Sequence, residues 1–175
     1  MINTHRRQVV PTEWQGIRFR SKSEACFAMY IDHYTRKQNG KESAAVAWEY
    51  EPPQLMLDDG YAPDFRVVCF RNNALWCKLI EYKPSRPTAT YAVNVLEKLA
   101  ILSNHVGMDC NPCIQFGSFW GNTPEQQPRT MVMNGGQIIE TAGWATSSDE
   151  WQLRQVIAGY RFDLENDAIL WRPIP

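Results

Sequence analysis

At 175 residues and 44% hydrophobic, the chain can bury one real core, and nothing divides it into two units that would each stand alone, so a single domain over residues 1–175 is expected. No apolar run approaches the roughly 18 residues that span a bilayer, and none follows Met1, where the sequence continues Ile2-Asn3-Thr4-His5-Arg6-Arg7; the expectation is a cytoplasmic protein with no membrane partner. The net charge of -1 hides an asymmetry, because residues 1–41 carry eight Lys/Arg against three Asp/Glu and the remainder is net acidic by six.

In chain order, the first structural signal is Ser21-Lys22-Ser23-Glu24, an S-x-x-E capping box. It predicts a helix of about 17 residues, with Ala25, Ala28, Met29 and Ile31 on its apolar positions and a stop at Asn39-Gly40. Four β-like segments follow, Ala45–Tyr50, Gln54–Leu57, Tyr61–Phe70 and Ala74–Lys83. A tight turn at Arg71-Asn72-Asn73 makes the last two an antiparallel hairpin. Such a hairpin places Asp64, early in its first strand, near Glu81, late in its second.

Pro84-Ser85-Arg86-Pro87 breaks the strand, and Thr88 opens a second helix whose apolar positions Val93, Leu96, Leu99, Ala100 and Leu102 keep a helical period to about His105. Cys113–Trp120 reads as a buried strand, parallel to its predecessor by the right-handed crossover rule. Met131–Ile139 is a second hairpin with Asn134-Gly135 at its turn. Ser148 is expected to cap a last helix, Asp149–Ala158, before a short strand at Ile169–Trp171.

Five cysteines, an odd number, do not make a disulfide framework, and reduced thiols are expected. Cys110-Asn111-Pro112-Cys113 is a single CxxC, whereas a closed zinc or iron–sulfur site needs about four ligands. Cys26, Cys69 and Cys77 fall inside the predicted helix and strands. The pair therefore reads as a helix-to-strand loop entering the core.

The chemistry concentrates at Asp64, Glu81 and Lys83. Residues two apart on a strand share a face, so Glu81 and Lys83 project together while Ile80 and Tyr82 face the other way. Two carboxylates about 4 Å apart at an effective dielectric of about 20 repel by roughly 4 kcal/mol, so one holds a proton or a cation lies between them. A divalent metal would satisfy both acids, bind a phosphate oxygen and acidify its own water. A glycosidase pair would leave Lys83 without a role. Plainer readings stand beside these. Glu24 has a structural job as the partner of Ser21, Asp64 can be a turn residue after Pro63, Glu81 with Lys83 can be a strand ion pair, and Lys98 can be a solvated lysine.

Taken in order, Gly16-Ile17-Arg18-Phe19-Arg20-Ser21-Lys22-Ser23-Glu24, Trp48-Glu49-Tyr50-Glu51-Pro52, Tyr61-Ala62-Pro63-Asp64-Phe65 and Ile80-Glu81-Tyr82-Lys83 resemble the PD-(D/E)xK nuclease superfamily. The resemblance is nearest to the endonuclease subunit of heteromeric cut-and-paste transposases and to small phage endonucleases, and it covers about residues 16–120. It implies an α/β fold with a restriction-endonuclease-like core, a mixed central sheet of about four to five strands flanked by helices. Residues 121–175 would add a C-terminal hairpin and helix as an extension. It also implies Asp64 and Glu81 as ligands of Mg²⁺, with Mn²⁺ as a substitute, and the Tyr82 carbonyl as a third ligand. Lys83 would orient or deprotonate the attacking water, and Glu24 would touch the same metal, often through water. DNA would be the partner, met by Arg18, Arg20, Lys22 and Lys98. A homodimer or a recombination-type protein partner is a further expectation. Pro84 departs from the glycine that many relatives carry after the lysine. The expected activity is metal-dependent endodeoxyribonuclease. The alternative is a nuclease-fold module of a phage or mobile element that binds DNA or inhibits a protein without cutting.

Overall fold

The computed structural model describes residues 9–37, 44–71, 74–117, 129–142, 160–163 and 168–171. The elements run β1 (Thr12–Trp14), β2 (Ile17–Phe19), α1 (Lys22–Lys37), β3 (Ala44–Tyr50), β4 (Phe65–Arg71), β5 (Ala74–Lys83), α2 (Ala89–Ser103), β6 (Cys110–Phe116), β7 (Arg129–Asn134), β8 (Gln137–Ala142), β9 (Tyr160–Asp163) and β10 (Ala168–Trp171). The fold is α/β. Its centre is a six-stranded sheet in the order β3-β4-β5-β6-β7-β8, and a four-stranded sheet has the order β2-β1-β10-β9.

The central sheet is mixed and wider than the four to five strands expected. Its parallel step is β5 to β6, joined by α2 as the crossover rule requires, and its other steps are antiparallel. The widening comes from the second hairpin. β7 pairs with β6 and β8 with β7, so the hairpin at 129–142 continues the central sheet. The centre of that hairpin is Gly135-Gly136, both at positive φ, between the paired Asn134 and Gln137. Two left-handed residues make the turn that matches strand twist, which places it one residue later than Asn134-Gly135.

Alternation along β5 separates two cores. Ile80 and Tyr82 lie against α1 with Phe27, Ile31, Phe65 and Val67, all buried, while Cys77 and Leu79 lie against α2 with Val95, Leu96, Leu99 and Ile114. Glu81 and Lys83 share the α2 face of that strand. α2 is started by Thr88, whose hydroxyl accepts the Tyr91 N–H at 3.3 Å. α1 starts with the expected box: Ser21 Oγ accepts the Glu24 N–H at 3.2 Å, and Glu24 Oε2 accepts the Ser21 N–H at 3.1 Å.

Three expectations are corrected. Gln54–Leu57 is a run of turns, not a strand, with the Leu55 N–H bonded to Pro52 O at 3.0 Å and the Leu57 N–H to Tyr61 O at 2.8 Å. Tyr61–Asp64 is likewise irregular: Pro63 has no N–H to give a ladder, so β4 begins at Phe65 and Asp64 sits at its foot. The strand expected at Cys113 starts at Cys110 and ends at Phe116, so the CxxC lies on β6 and not in a loop. The short strand expected at Ile169–Trp171 is present as β10, whereas β1, β2 and β9 were not expected: β1 and β2 form a hairpin, and β9 pairs with β10. The Asn39-Gly40 stop, the Asn72-Asn73 turn and the Ser148-capped helix at Asp149–Ala158 lie outside the described residues.

Candidate metal-ion and phosphodiester site

Asp64 and Glu81 come together because β4 and β5 are antiparallel and Phe65 pairs with Ile80. The next residue outward on one strand is Asp64 and on the other Glu81. Asp64 is fully buried and Glu81 nearly so. Both open on a cavity of about 270 Å³ lined also by Arg20, Gly60, Tyr61, Ala62, Tyr91, Asn94, Val95 and Lys98.

Asp64 Oδ2 accepts the Tyr82 N–H at 2.8 Å, and Oδ1 meets the Arg20 guanidinium. Even so, burial, then the charge of Glu81, push the Asp64 carboxyl up to about 7, against the lowering pull of Lys83, the Tyr82 N–H and Arg20. This is the proton-or-cation choice expected of paired acids, here with Asp64 as the proton acceptor.

Glu81 is gripped on both oxygens. Tyr61 Oη donates to Oε2 at 3.0 Å, and Tyr91 Oη donates to Oε1 at 2.6 Å. Lys83 Nζ lies 2.7 Å from Oε1. Burial works to lower the Lys83 pKa, but the carboxylates of Asp64 and Glu81 overcome it and hold the ammonium above its ordinary value. Burial and the Glu81 bond push the Tyr91 phenol up to about 12, so it stays a donor at neutral pH.

Glu24 reaches the site through Arg20. Its Oε2 accepts from Tyr50 Oη at 2.8 Å as well as from Ser21. Arg20 Nε lies 3.8 Å from Glu24 Oε1 and 2.9 Å from Glu51 Oε1, while Nη2 meets Asp64. Glu51 holds a left-handed backbone at φ 43, a conformation costing on the order of 1–3 kcal/mol outside glycine. Its N–H binds Asp64 O at 2.9 Å, which ties the strained residue to the foot of β4.

The four basic residues assigned to DNA separate. Arg20 belongs to the acid cluster. Arg18 is exposed on β2, opposite the exposed Glu13. Lys22 is half-buried at the start of α1. Lys98 pairs with Asp59 at 2.6 Å and lies 5.1 Å over the Tyr61 ring, on the cavity wall. Tyr50, Glu51, Tyr61 and Tyr91 are the contacts to which sequence reasoning gave no role. Three of them stood inside the quoted segments, but Tyr91 had no signal beyond its place in the first turn of α2.

The donor set is oxygen throughout, two buried carboxylates, which suits a hard divalent cation such as Mg²⁺ or Mn²⁺. Among the described residues no three His, Cys, Asp or Glu side chains converge as a metal-binding group, and magnesium commonly completes its shell with water and substrate phosphate. Tyr82 offers its N–H to Asp64; its phenol donates to Gly117 O at 2.8 Å on the opposite face, stacked on Phe27. Cys110 lies with Cys77, their Sγ atoms 3.0 Å apart, on the α2 side, whereas Cys113 lies in the α1 core, so the CxxC thiols face opposite ways. No helix among the described residues is long and apolar enough to cross a membrane. No protein-family model matches the chain, and no curated protein matches it either.

Proposed function

We propose that this chain is a metal-dependent endodeoxyribonuclease of the PD-(D/E)xK type, with a restriction-endonuclease-like core. The observation that carries the reading is the convergence of buried Asp64 and Glu81 on one cavity, with Lys83 bonded to Glu81 on the same strand face and Asp64 pushed up to about 7 by burial and then by the charge of Glu81. Asp64 and Glu81 would hold Mg²⁺ or Mn²⁺, with the Tyr82 carbonyl as a further ligand. Bound there, the ion supplies acidified water and charge stabilisation at the phosphate, without which the roughly 20 kcal/mol needed for phosphodiester cleavage is out of reach of a lone lysine.

Lys83 is one-third exposed on the same strand face as Glu81. Its raised pKa keeps it an ammonium at neutral pH, so it serves to orient water and to meet developing negative charge on a phosphate oxygen, not to remove a proton. Arg20 holds Glu24 and Glu51 in register with Asp64. Lys98, on the far wall, and exposed Arg18 would face the DNA backbone.

Supercoiled, linear and branched DNA incubated with the protein and Mg²⁺, Mn²⁺ or EDTA tests the reading. Cleavage with either metal and none in EDTA is the expected result. Undiminished cleavage in excess EDTA sinks the mechanism.

The Arg20–Asp64 contact favours a second reading, a silent nuclease-fold module that binds DNA or inhibits a protein partner. There the guanidinium takes the neutralising place of the metal. Calorimetry with Mg²⁺ separates the two, since the silent module would show no binding heat.

A further inference from the structure

We propose that Tyr91 is a positioning residue, acting with Tyr61 to fix Glu81 by one oxygen each and, through its ring, to seat Lys83. The inference rests on the metal-dependent reading above and deepens it. Glu81 alone could swing about its side-chain torsions, as a strand-end glutamate on an open cavity does. Here Tyr91 Oη at 2.6 Å and Tyr61 Oη at 3.0 Å close on its two oxygens from different elements, the first turn of α2 and the segment before β4. An O–H to carboxylate bond as short as the first is of the strong, charge-assisted kind.

Lys83 Nζ lies 5.5 Å from the Tyr91 ring centroid while 2.7 Å from Glu81 Oε1, so one side chain of α2 fixes both the acid and the ammonium. The pattern repeats on the other wall, where Lys98 lies 5.1 Å over the Tyr61 ring. Tyr91 is 37% exposed and contributes little to the core, so packing does not account for a tyrosine at this place. Phenol hydroxyls that orient a ligating carboxylate raise the precision of the ligand set, and losing such a partner typically weakens metal affinity by about 10- to 100-fold.

The test compares wild type, Tyr91→Phe, Tyr91→Leu and the Tyr61→Phe/Tyr91→Phe double variant in two measurements. The first is free of metal: the carboxyl carbon resonance of Glu81 in ¹³C-labelled protein. Tyr91→Phe is expected to move that resonance while the backbone amide spectrum and melting temperature hold. The second is Mg²⁺ affinity by calorimetry, expected to fall about tenfold for Tyr91→Phe, further for the double variant, and further for Tyr91→Leu than for Tyr91→Phe because leucine also loses the ring under Lys83. An unmoved Glu81 resonance, or wild-type Mg²⁺ affinity in Tyr91→Phe, overturns the proposal. Absence of Mg²⁺ binding to the wild type would instead remove the metal reading, and the resonance of Glu81 would still decide whether the phenols hold it.

Discussion

Asp64 divides the acid cluster into two sides built on different principles. On the α1 side, Glu24 is bonded to Ser21 and Tyr50 and completes a helix cap, a job it would have in any protein with this sequence. On the α2 side, Glu81 has no part in a cap or a ladder through its side chain. Its oxygens take two phenols that line the cavity with it, and the ammonium of Lys83. Burying a carboxylate is costly unless it is well partnered, and the α2 side meets that cost with partners that are themselves partly open to solvent. Glu24 completes the cap of its own helix and also takes Tyr50 from β3, whereas Glu81 takes Lys83 from its own strand and its two phenols from other elements.

The largest expected effect breaks the comparison at its pivot. Asp64→Asn removes one of the two charges that call for a cation, and cleavage in Mg²⁺ should fall to background, as it should for the wild type in EDTA. Lys83→Ala comes next. It should remove most cleavage and leave the fold intact, because Lys83 is at the rim and not in the core. A collapse of the fold in Lys83→Ala, seen by circular dichroism, would return Lys83 to a structural ion pair.

Glu24→Gln sharpens the contrast between the sides. One glutamine oxygen can accept from both the Ser21 N–H and Tyr50 Oη, as Glu24 Oε2 does. The loss of stability should stay well under about 1 kcal/mol. If Glu24 also serves the metal site, cleavage should drop about tenfold or more, since a negative charge beside a divalent ion is gone. Full activity across a metal titration would make it a helix cap alone.

How far these sides were legible from sequence follows the same division. The α1 cap was visible because its partners are three residues apart, and β5 was visible because its alternation runs from Ala74 to Lys83. β1 and β2 were not, since each has three residues and the turn between them puts Gln15 at φ 51, where Asn or Asp would have been the recognisable residue. The Tyr91–Glu81 contact depends on how α2 crosses back over β5, and Arg20 was assigned to DNA because nothing local shows three carboxylates closing on it. Side-chain contacts across elements need the fold before they can be read.

A pH series on the metal-free protein probes Asp64 directly. Its folded pKa, near 7, lies above the ordinary 3.8, so the folded state binds more protons than the unfolded state between those values. Stability from this group is present in full below about pH 4 and is lost as pH rises through 7. The melting temperature of the wild type relative to Asp64→Asn should therefore decline across that window. Metal binding, which competes with the same proton, should tighten over it. A flat difference between the two proteins would show that Asp64 is already charged when buried, neutralised by Arg20 and Lys83.

The smallest expected effect separates two arginines that stand two residues apart. Arg18 is exposed on β2, while Arg20 is held by Asp64, Glu24 and Glu51. An arginine on a phosphate releases condensed counterions, so losing it lowers the dependence of log affinity on log salt by about one unit. Arg18→Ala should show that change for DNA of any sequence and leave Mg²⁺ affinity alone. Arg20→Ala should do the reverse, leaving the salt slope and changing metal affinity, because its charge is spent on carboxylates. Measured DNA affinity between low and moderate salt decides it: if Arg18→Ala keeps the wild-type slope, the β2 surface is not part of the DNA footprint. If Arg20→Ala flattens the slope instead, the guanidinium leaves the acids when DNA binds, and the cation at Asp64 has to come from elsewhere.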